Sequence, residues 1–419
     1  MHYFDYENEE LYAEDVPVAR IAGMTGTPVY IYSYGTMERH FLVFDGAFSR
    51  IPHITCYSCK ANSNLALLRT VARLGGGADI VSGGELYLAL KAGIPPAKIV
   101  FSGVGKTTDE IREAVRTGIA MINMESADEL EAVARVGKEM RQRVPVSIRV
   151  NPQIDPKTHP YITTGLKKNK FGILMDEARQ LYGRIASDPW LTPVGISSHI
   201  GSQITEIPPF VEAVQSLKGM VTDLKAAGIK LRFMDIGGGL GITYREELPP
   251  RPEEYAAAVE RVLIGTDIQL VLEPGRVIVG NSAIFVTKVL YVKKAGKKTF
   301  YIVDGAMNDL VRPALYDAYH EIIPVTLKEG RKVRADVVGP VCESGDFFAK
   351  DRALPRFEKG DLMAVMSAGA YGFSMSSNYN ARRRVAEVLV RGPEFFVTRK
   401  RETLRDLVRG ESIPRFLEV

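Results

Sequence analysis

Cysteine is scarce: the 419 residues include only Cys56, Cys59 and Cys342. An odd and small number argues against a disulfide framework. Cys56 and Cys59 form a lone Cys-x-x-Cys with no second pair to complete a zinc site. If the segment is a strand, their offset of three residues places the thiols on opposite faces. We therefore expect both to be buried apolar side chains, and we expect no metal.

Long apolar runs are also missing, and none reaches transmembrane length. The N-terminus is acidic and lacks the basic-then-apolar pattern of a signal peptide. These features predict a cytoplasmic protein that does not enter a membrane. The net charge of +4 is small and its basic residues are dispersed, which argues against a nucleic-acid partner. The one tight basic cluster, Lys293, Lys294, Lys297 and Lys298, predicts a solvated hairpin.

The first two-thirds of the chain alternates strand-like and helix-like segments. Eight strand-like segments begin at His53, Ala78, Lys98, Ala120, Val146, Val194, Phe233 and Leu270. Eight strand–helix units predict an α/β fold, a (β/α)8 TIM-like barrel. An open doubly wound sheet is the alternative, and it would concentrate ligand chemistry at one switch point. Unusual polar residues follow many of the strands, which favours the barrel.

Several helices of this region carry recognisable ends. Capping boxes are predicted after three strands, at Ser82–Glu85, Thr107–Glu110 and Ser126–Glu129. The matching helix ends are predicted at Gly93, Gly118 and Gly137.

The pattern of apolar and polar residues changes after about residue 276, where β-like runs and turn signals replace the helical period. We therefore assign residues 30–275 to the barrel. Residues 1–29 and 276–419 form a second, mostly antiparallel β domain. The segment TPVYIYS, which starts at Thr27, is a candidate extra strand of that domain.

Lys60 stands where the first barrel strand ends. A lysine there usually extends to solvent, but apolar surroundings can lower its pKa and make it a reactive amine. His199 ends the sixth strand, glycines 237–239 follow the seventh, and Glu273 ends the eighth. Consecutive glycines let backbone N–H groups approach an anion. An amine, an anion cradle, a carboxylate and a flat ring are the set that pyridoxal phosphate requires.

Seven stretches together carry a family resemblance. They are CYSCKANSN, GADIVSGGEL, SSHIGSQI, DIGGGLGI, EPGR, CESGD and YGFSMSSNYNAR. In this order they resemble the diaminopimelate decarboxylases, which belong to the fold type III (alanine-racemase-like) group of pyridoxal phosphate enzymes. The resemblance implies decarboxylation of meso-2,6-diaminopimelate to L-lysine and CO2, the last step of lysine biosynthesis. It also implies a homodimer with shared active sites and a small amino-acid substrate.

The resemblance implies a role for each matching residue. Lys60 would hold the cofactor covalently, His199 would stack on its ring, and Glu273 would bond the pyridine nitrogen. The full cofactor-binding set is Lys60, Asp79, His199, Ser202, Gly237, Gly238, Gly239, Glu273, Gly275, Arg276 and Tyr371. A carboxylate at the ring nitrogen strengthens the ring as an electron sink, which favours decarboxylation.

The remaining implied roles concern catalysis and substrate. Lys60, His199 and Cys342 would be catalytic, with Cys342 as the proton donor; Cys342 and Glu343 would come from the neighbouring subunit. Substrate would be bound by Arg276, Arg312, Tyr316, Glu343 and Tyr371. Diaminopimelate carries a distal carboxylate that ornithine and arginine lack, and arginine grips a carboxylate bidentately. If their segment is helical, Arg312 and Tyr316 lie on one face.

Two details of the motifs bear on substrate and stiffness. Glu343 follows Cys342 where ornithine and arginine decarboxylases have aspartate, which favours diaminopimelate. After Ala381 the family pattern Arg-Pro-Arg-Pro is replaced by RRRV, so both prolines are missing and local stiffness is in question. The alternatives are a decarboxylase for another diamine precursor or a carrier-bound acyl amino acid, and a non-enzymatic pyridoxal phosphate-binding protein.

Overall fold

A computed structural model describes residues 2–154 and 170–417. The chain forms two compact units, Met37–Gly280 and a second one that joins Met1–Thr36 to Asn281–Val419. The expected domain limits were 29/30 and 275/276. The N-terminal limit lies later than expected because Val29–Ser33 pairs with two strands of the second unit's sheet.

The N-terminal segment belongs to the second unit. Its elements are β1 (Phe4–Glu7), β2 (Glu10–Ala13), β3 (Val16–Pro17), α1 (Val18–Thr25), β4 (Val29–Ser33) and the start of α2 (Tyr34–Ala47). The first three strands form a small antiparallel sheet. All five residues of β4 are buried, as expected of an interior strand.

The unit Met37–Gly280 is a barrel. Its strands are β5 (His53–Ser58), β6 (Gly77–Ile80), β7 (Ile99–Phe101), β8 (Met121–Met124), β9 (Val144–Asn151), β10 (Ile173–Leu174), β11 (Leu191–Ser197), β12 (Phe233–Asp235) and β13 (Gln269–Leu272). All pairings are parallel, and the β8–β9 pairing closes the ring. The eight predicted strands and the barrel are therefore confirmed, and the open sheet is wrong. The short β10 pairs only with β9.

Helices follow most of the strands. They are α3 (Leu65–Arg73), α4 (Gly83–Lys91), α5 (Thr108–Thr117), α6 (Ala127–Met140), α7 (Met175–Ser187), α8 (Pro208–Ala226), α9 (Pro252–Leu263) and α10 (Arg276–Val279). The capping box of α5 is complete, with Thr107 and Glu110 bonding each other's backbone. At α4 and α6 the serine side chain caps the helix as predicted. The glutamate, however, accepts from the backbone N–H of the residue before the serine, which is Val81 at α4 and Glu125 at α6.

The predicted helix ends at Gly93 and Gly118 are confirmed, since both follow the last helical turn with positive φ. The prediction for Gly137 is wrong, because α6 continues through it to Met140. A Cβ at Gly137 would lie 3.0 Å from the Gln142 carbonyl and 3.1 Å from that of Trp190. This glycine therefore permits close packing of the helix rather than ending it.

The barrel interior contains an apolar cluster of Cys56, Val100, Met121, Phe233 and Val271. Cys56 and Cys59 are both fully buried, as predicted. Only Cys56 lies in the strand, however, because Cys59 begins a single 3-10 turn, Cys59–Ala61. Within the described part of the chain, no helix combines the length and the apolar character needed to cross a membrane.

The C-terminal part of the second unit is β-rich. Its elements are β14 (Ala283–Ala295), β15 (Lys298–Val303), α11 (Arg312–Tyr316), β16 (Ile322–Pro324), β17 (Val333–Val338), β18 (Phe347–Leu354), β19 (Leu362–Val365), β20 (Ala386–Arg391), β21 (Glu394–Arg399) and α12 (Leu404–Leu407). The pairings are antiparallel except β15–β17 and β4–β20. The lysine-flanked turn at 295–298 joins β14 to β15 and is exposed, so the predicted hairpin is confirmed.

Candidate active site

The predicted barrel residues lie at the carboxyl ends of their strands. Lys60 lies in the 3-10 turn after β5, and Asp79 lies on β6. His199 and glycines 237–239 follow β11 and β12, and Glu273 directly follows β13. In a parallel barrel these ends open on one face, where the loops build the active site.

Lys60 is paired with a buried carboxylate. Its Nζ lies 2.5 Å from Oδ2 of Asp79, and the Asp79 side chain is wholly buried, whereas about a third of the Lys60 side chain is exposed. The Ser58 hydroxyl donates to the same Asp79 oxygen at 2.8 Å. The other oxygen, Oδ1, is buried and has no hydrogen-bond partner in the described structure. A buried carboxylate with spare acceptor capacity beside an amine suits a site that takes a further polar group.

Glu273 and Asp235 form a buried pair of carboxyl groups. The Ser102 hydroxyl lies 3.2 Å from Oε1 of Glu273, and Asn123 donates to Asp235 at 2.9 Å. Burial, and then the charge of Asp235, raise the pKa of Glu273 well above its usual range. Burial also raises the pKa of Asp235, to about 6. Two buried carboxyl groups that interact in this way cannot both ionise readily.

His199 presents a neutral ring. The backbone N–H of Gly238 donates to its Nδ1 at 3.2 Å, so the proton of the neutral imidazole is on Nε2. Burial, and then the positive charges of Arg149 and Lys60, hold the pKa of His199 well below its usual range. A flat ring without charge can pack face to face on a cationic or neutral heteroaromatic ring.

The glycine turn has no room for side chains. Gly237 has φ +67°, which favours glycine. A Cβ on Gly238 would collide with the carbonyl oxygen of Glu273. The Ile204 N–H donates to the Gly239 carbonyl at 2.9 Å, so the turns after β11 and β12 are joined. These glycines allow the backbone after β12 to approach the segments after β11 and β13 closely, and the N–H groups of Gly237 and Gly238 donate to Asp235 and His199.

Arg276 adds positive charge to the same end of the barrel. Its guanidinium is buried and donates to Tyr244 Oη at 2.7 Å and to Ser202 Oγ at 3.1 Å. The structure thereby brings Ser202 and Arg276 together, as an anion site requires. A Cβ at Gly275 would lie 3.0 Å from Cβ of Ala61, so this glycine packs against the Lys60 turn.

The amine, the acceptor-rich carboxylate, the neutral ring and the buried Arg276 guanidinium beside Ser202 together fit pyridoxal phosphate. The Lys60 amine suits the aldehyde, and Glu273 and His199 suit the ring. Arg276 and Ser202 suit the phosphate. Lys60 therefore does not simply extend to solvent.

The other predicted residues belong to the second unit. Arg312 begins α11, is buried, and bonds His320 Nε2 at 2.8 Å; Tyr316 ends the same helix. Cys342 and Glu343 lie in the turn between β17 and β18. Tyr371 has φ +57° and starts the YGFSMSSNYNAR stretch.

The turn that carries Cys342 is held by two side chains. Asp346 accepts hydrogen bonds from the backbone N–H groups of Val341 and Met307, at 2.8 and 2.7 Å. Asn380 accepts one from the N–H of Cys342 at 2.8 Å. The CESGD and YGFSMSSNYNAR motifs, separate in the sequence, therefore meet. Cys342 itself is exposed and not in a disulfide.

Sequence reasoning missed several residues of these networks. They are Ser58, Ser102, Asn123, Arg149, Asp235, Tyr244, His320, Asp346 and Asn380. Some signal was available, since Asp235 directly precedes the glycines and Asn123 interrupts an apolar strand.

Residues 34–280 match the sequence family described as pyridoxal-dependent decarboxylase, pyridoxal binding domain. The diaminopimelate decarboxylase of Vibrio cholerae serotype O1 is 51% identical over 415 residues, which cover 99% of both chains. That of Pseudomonas aeruginosa is 51% identical over 413 residues, again 99% of both chains. The crystal structure of the Helicobacter pylori diaminopimelate decarboxylase complexed with L-lysine is 44% identical with a TM-score of 0.91, and the match covers 93% of this chain and 98% of that one. The chain belongs to the diaminopimelate decarboxylase family of pyridoxal-dependent enzymes.

Proposed function

We propose that this chain decarboxylates meso-2,6-diaminopimelate to L-lysine and CO2, the last step of lysine biosynthesis, with pyridoxal phosphate as cofactor. The observation that carries the proposal is full-length similarity to diaminopimelate decarboxylases in a chain whose Lys60 amine contacts a buried Asp79 carboxylate at the barrel mouth. When bound, pyridoxal phosphate supplies a sink for the electron pair that departing CO2 leaves at the α-carbon.

The barrel residues would hold the cofactor. Lys60 would hold its aldehyde carbon, with Asp79 beside the amine as a proton acceptor. Glu273 would bind the pyridine nitrogen, and His199 would pack on the ring. Glycines 237–239, Ser202, Gly275, Arg276 and Tyr371 would hold the phosphate.

Glu273 has two states that suit this role. Without a cation, the raised pKa of Glu273 favours a protonated carboxyl group beside Asp235. Beside a protonated pyridine nitrogen Glu273 would be ionised, which is the favourable arrangement in a low-dielectric site.

Second-unit residues would act on the substrate. Cys342 Sγ donates a proton to the α-carbon, and Glu343 binds a substrate amine. Arg312 and Tyr316, with Arg276, bind carboxylate. Diaminopimelate has a distal carboxylate, so a buried and oriented guanidinium such as that of Arg312 supports this substrate over ornithine or arginine.

A panel of amino acids tests the reaction. Purified protein loaded with pyridoxal phosphate is given meso-diaminopimelate, ornithine, arginine and lysine, and CO2 release is measured. We expect release from diaminopimelate only, with no release by Lys60→Ala. Preferential turnover of another diamine precursor would replace the substrate assignment, and no turnover of any substrate would support a cofactor-binding protein instead.

We also propose that the enzyme is a homodimer in which Cys342 and Glu343 serve the neighbouring subunit's site. Mixing inactive Lys60→Ala and Cys342→Ala variants tests this arrangement. Hybrid dimers contain one site with both residues, so exchange of subunits should restore up to about one quarter of the parent activity. If the mixture stays inactive after demonstrated exchange, both residues act within their own subunit.

A cytoplasmic location completes the proposal. All three cysteines are free, and the exposed thiol of Cys342 is compatible with a reducing compartment. Fractionation of cells that express the tagged chain, with the redox state of Cys342 measured by alkylation, tests the location.

A further inference from the structure

We propose that His320 is a positioning residue for Arg312 and so sets the preference for substrates with a distal carboxylate. The inference rests on the proposed function, in which Arg312 binds that carboxylate. Arg312 Nη1 and His320 Nε2 are 2.8 Å apart, and both residues are buried, with 6% and 0% of their surface exposed. The sequence predicted no role for His320.

The second ring nitrogen fixes the direction of this bond. His320 Nδ1 lies 2.8 Å from the carbonyl oxygen of Met366. A carbonyl oxygen only accepts, so Nδ1 carries the proton and donates it. Nε2 of the neutral ring is then an acceptor, and the guanidinium N–H of Arg312 donates to it. An imidazolium would place an N–H against this N–H, so the contact requires neutral imidazole.

The backbone around His320 is anchored on both sides. Arg352 Nη1 donates to the His320 carbonyl, and its guanidinium lies 4.0 Å from the centre of the Tyr319 ring. The Met366 N–H donates to the Glu321 carbonyl at 2.8 Å, and β16 continues this pairing against β19. The imidazole is therefore fixed to the sheet, whereas Arg312 is the first residue of a five-residue helix.

A fixed acceptor orients the whole guanidinium. The group is planar, with its N–H donors in a rigid fork, so a bond at Nη1 restricts the orientations in which the group can grip a carboxylate bidentately. Misorientation of such a group costs binding even when its charge remains. Loss of His320 should therefore weaken binding of diaminopimelate and of the product L-lysine, which retains the distal carboxylate, but not of 1,5-diaminopentane, which has no carboxylate.

Two variants of the holoenzyme separate the two ring nitrogens. In His320→Asn the amide nitrogen replaces Nδ1 and keeps the Met366 contact, but the shorter side chain does not reach Arg312. In His320→Gln the amide oxygen replaces Nε2 and can accept from Arg312. We expect Asn to raise KM for diaminopimelate about tenfold or more, with kcat nearly unchanged. The inhibition constant of L-lysine should rise by a similar factor, and that of 1,5-diaminopentane, which lacks the carboxylate, should stay nearly unchanged. Gln should restore much of the loss.

Control variants distinguish the possible failures. Arg312→Ala should raise KM at least as much as His320→Asn; if it does not, the proposed role of Arg312 fails. If Arg312→Ala raises KM and His320→Asn leaves it unchanged, the inference about His320 fails. His53→Asn is the matched control, because His53 Nδ1 also lies 2.8 Å from a backbone carbonyl, that of Ile51, but should change stability without changing substrate preference.

Nitrogen-15 NMR of histidine-labelled holoenzyme gives a readout that does not depend on turnover. It also does not require the His320→Asn variant to fold. The His320 ring should show a protonated Nδ1 and a bare Nε2, and the Nε2 resonance should shift in Arg312→Ala. A protonated Nε2 in the parent protein would overturn the inference.

Discussion

The Nζ atom of Lys60 lies 2.5 Å from Oδ2 of Asp79, across two neighbouring barrel strands, β5 and β6. The carboxylate is wholly buried and the amine is partly exposed. Asp79 therefore depends on Lys60 and Ser58 for the stability of its charge. The same contact keeps the amine beside a base at the point where the cofactor aldehyde would bind.

The first prediction concerns stability without cofactor. Lys60→Met leaves the Asp79 carboxylate buried without its counter-ion, and we expect a loss of about 2 kcal/mol, reduced from the fully buried case because the amine is partly exposed. Urea unfolding of the pyridoxal phosphate-free protein measures it. Adding Asp79→Asn should recover part of the loss, whereas the exposed control Lys138→Met should have little effect. Equal effects of the two lysine variants would contradict the argument.

The second prediction concerns pH and Glu85, which lies in the first turn of α4 and interacts with the charges of Asp79 and Lys60. Burial raises the pKa of Glu85 from 4.5 to about 7. The folded protein therefore retains a proton that the unfolded chain releases, so this contribution to stability is greatest below about pH 4.5, decreases as pH rises to about 7 and is constant above.

Glu85→Gln removes this titration and retains an oxygen that can accept from the Val81 N–H. Between about pH 5 and about pH 8, the unfolding free energy of both proteins is compared. Its decrease should be smaller in the variant than in the parent, by on the order of 2 kcal/mol. Urea titrations at both pH values give the difference. If parent and variant change equally, Glu85 does not carry the shift.

The strands were predictable because each is a short apolar run of the kind found in parallel sheets buried on both faces. Local signals also placed the starts of α4, α5 and α6. Gly137 misled the prediction because a glycine in a helical pattern can end the helix or permit close packing. The carbonyls of Gln142 and Trp190, which require its small size, are not apparent from the sequence around it.

The site residues that lie within recognisable sequence motifs could be predicted. The network beneath Glu273 could not, because its members come from different strands: Asn123 bonds Ser102, 21 residues away, and Asp235, 112 residues away. Closure of the barrel brings them together. The Asn380–Cys342 contact was missed for a similar reason, since it joins a 3-10 turn to a loop 38 residues earlier.

The third prediction concerns the ring nitrogen. Glu273→Gln keeps the size of the side chain but cannot carry the negative charge that stabilises a cationic ring, so kcat for diaminopimelate should fall about 100-fold or more. The visible absorption of bound cofactor should remain, which shows that the loss is not one of binding. Glu110→Gln, in the exposed capping box of α5, is the matched control. An unchanged kcat for Glu273→Gln would refute its role.

The fourth prediction concerns the placement of the Cys342 thiol. Asn380 has φ +56° and accepts from the Cys342 N–H at 2.8 Å. Cys342→Ala should lower kcat about 100-fold. Asn380→Gly keeps the backbone conformation but removes the acceptor, so we expect a smaller loss of about tenfold with little change in KM.

Two comparisons test whether Asn380 acts through the thiol. Asn380→Asp retains an oxygen acceptor and tolerates positive φ, so it should keep most of the activity that Asn380→Gly loses. The double variant Cys342→Ala/Asn380→Gly should be no slower than Cys342→Ala alone, because residues that act as a unit are not additive. If the two losses multiply instead, Asn380 contributes independently of Cys342, and the hydrogen bond between them does not explain its effect.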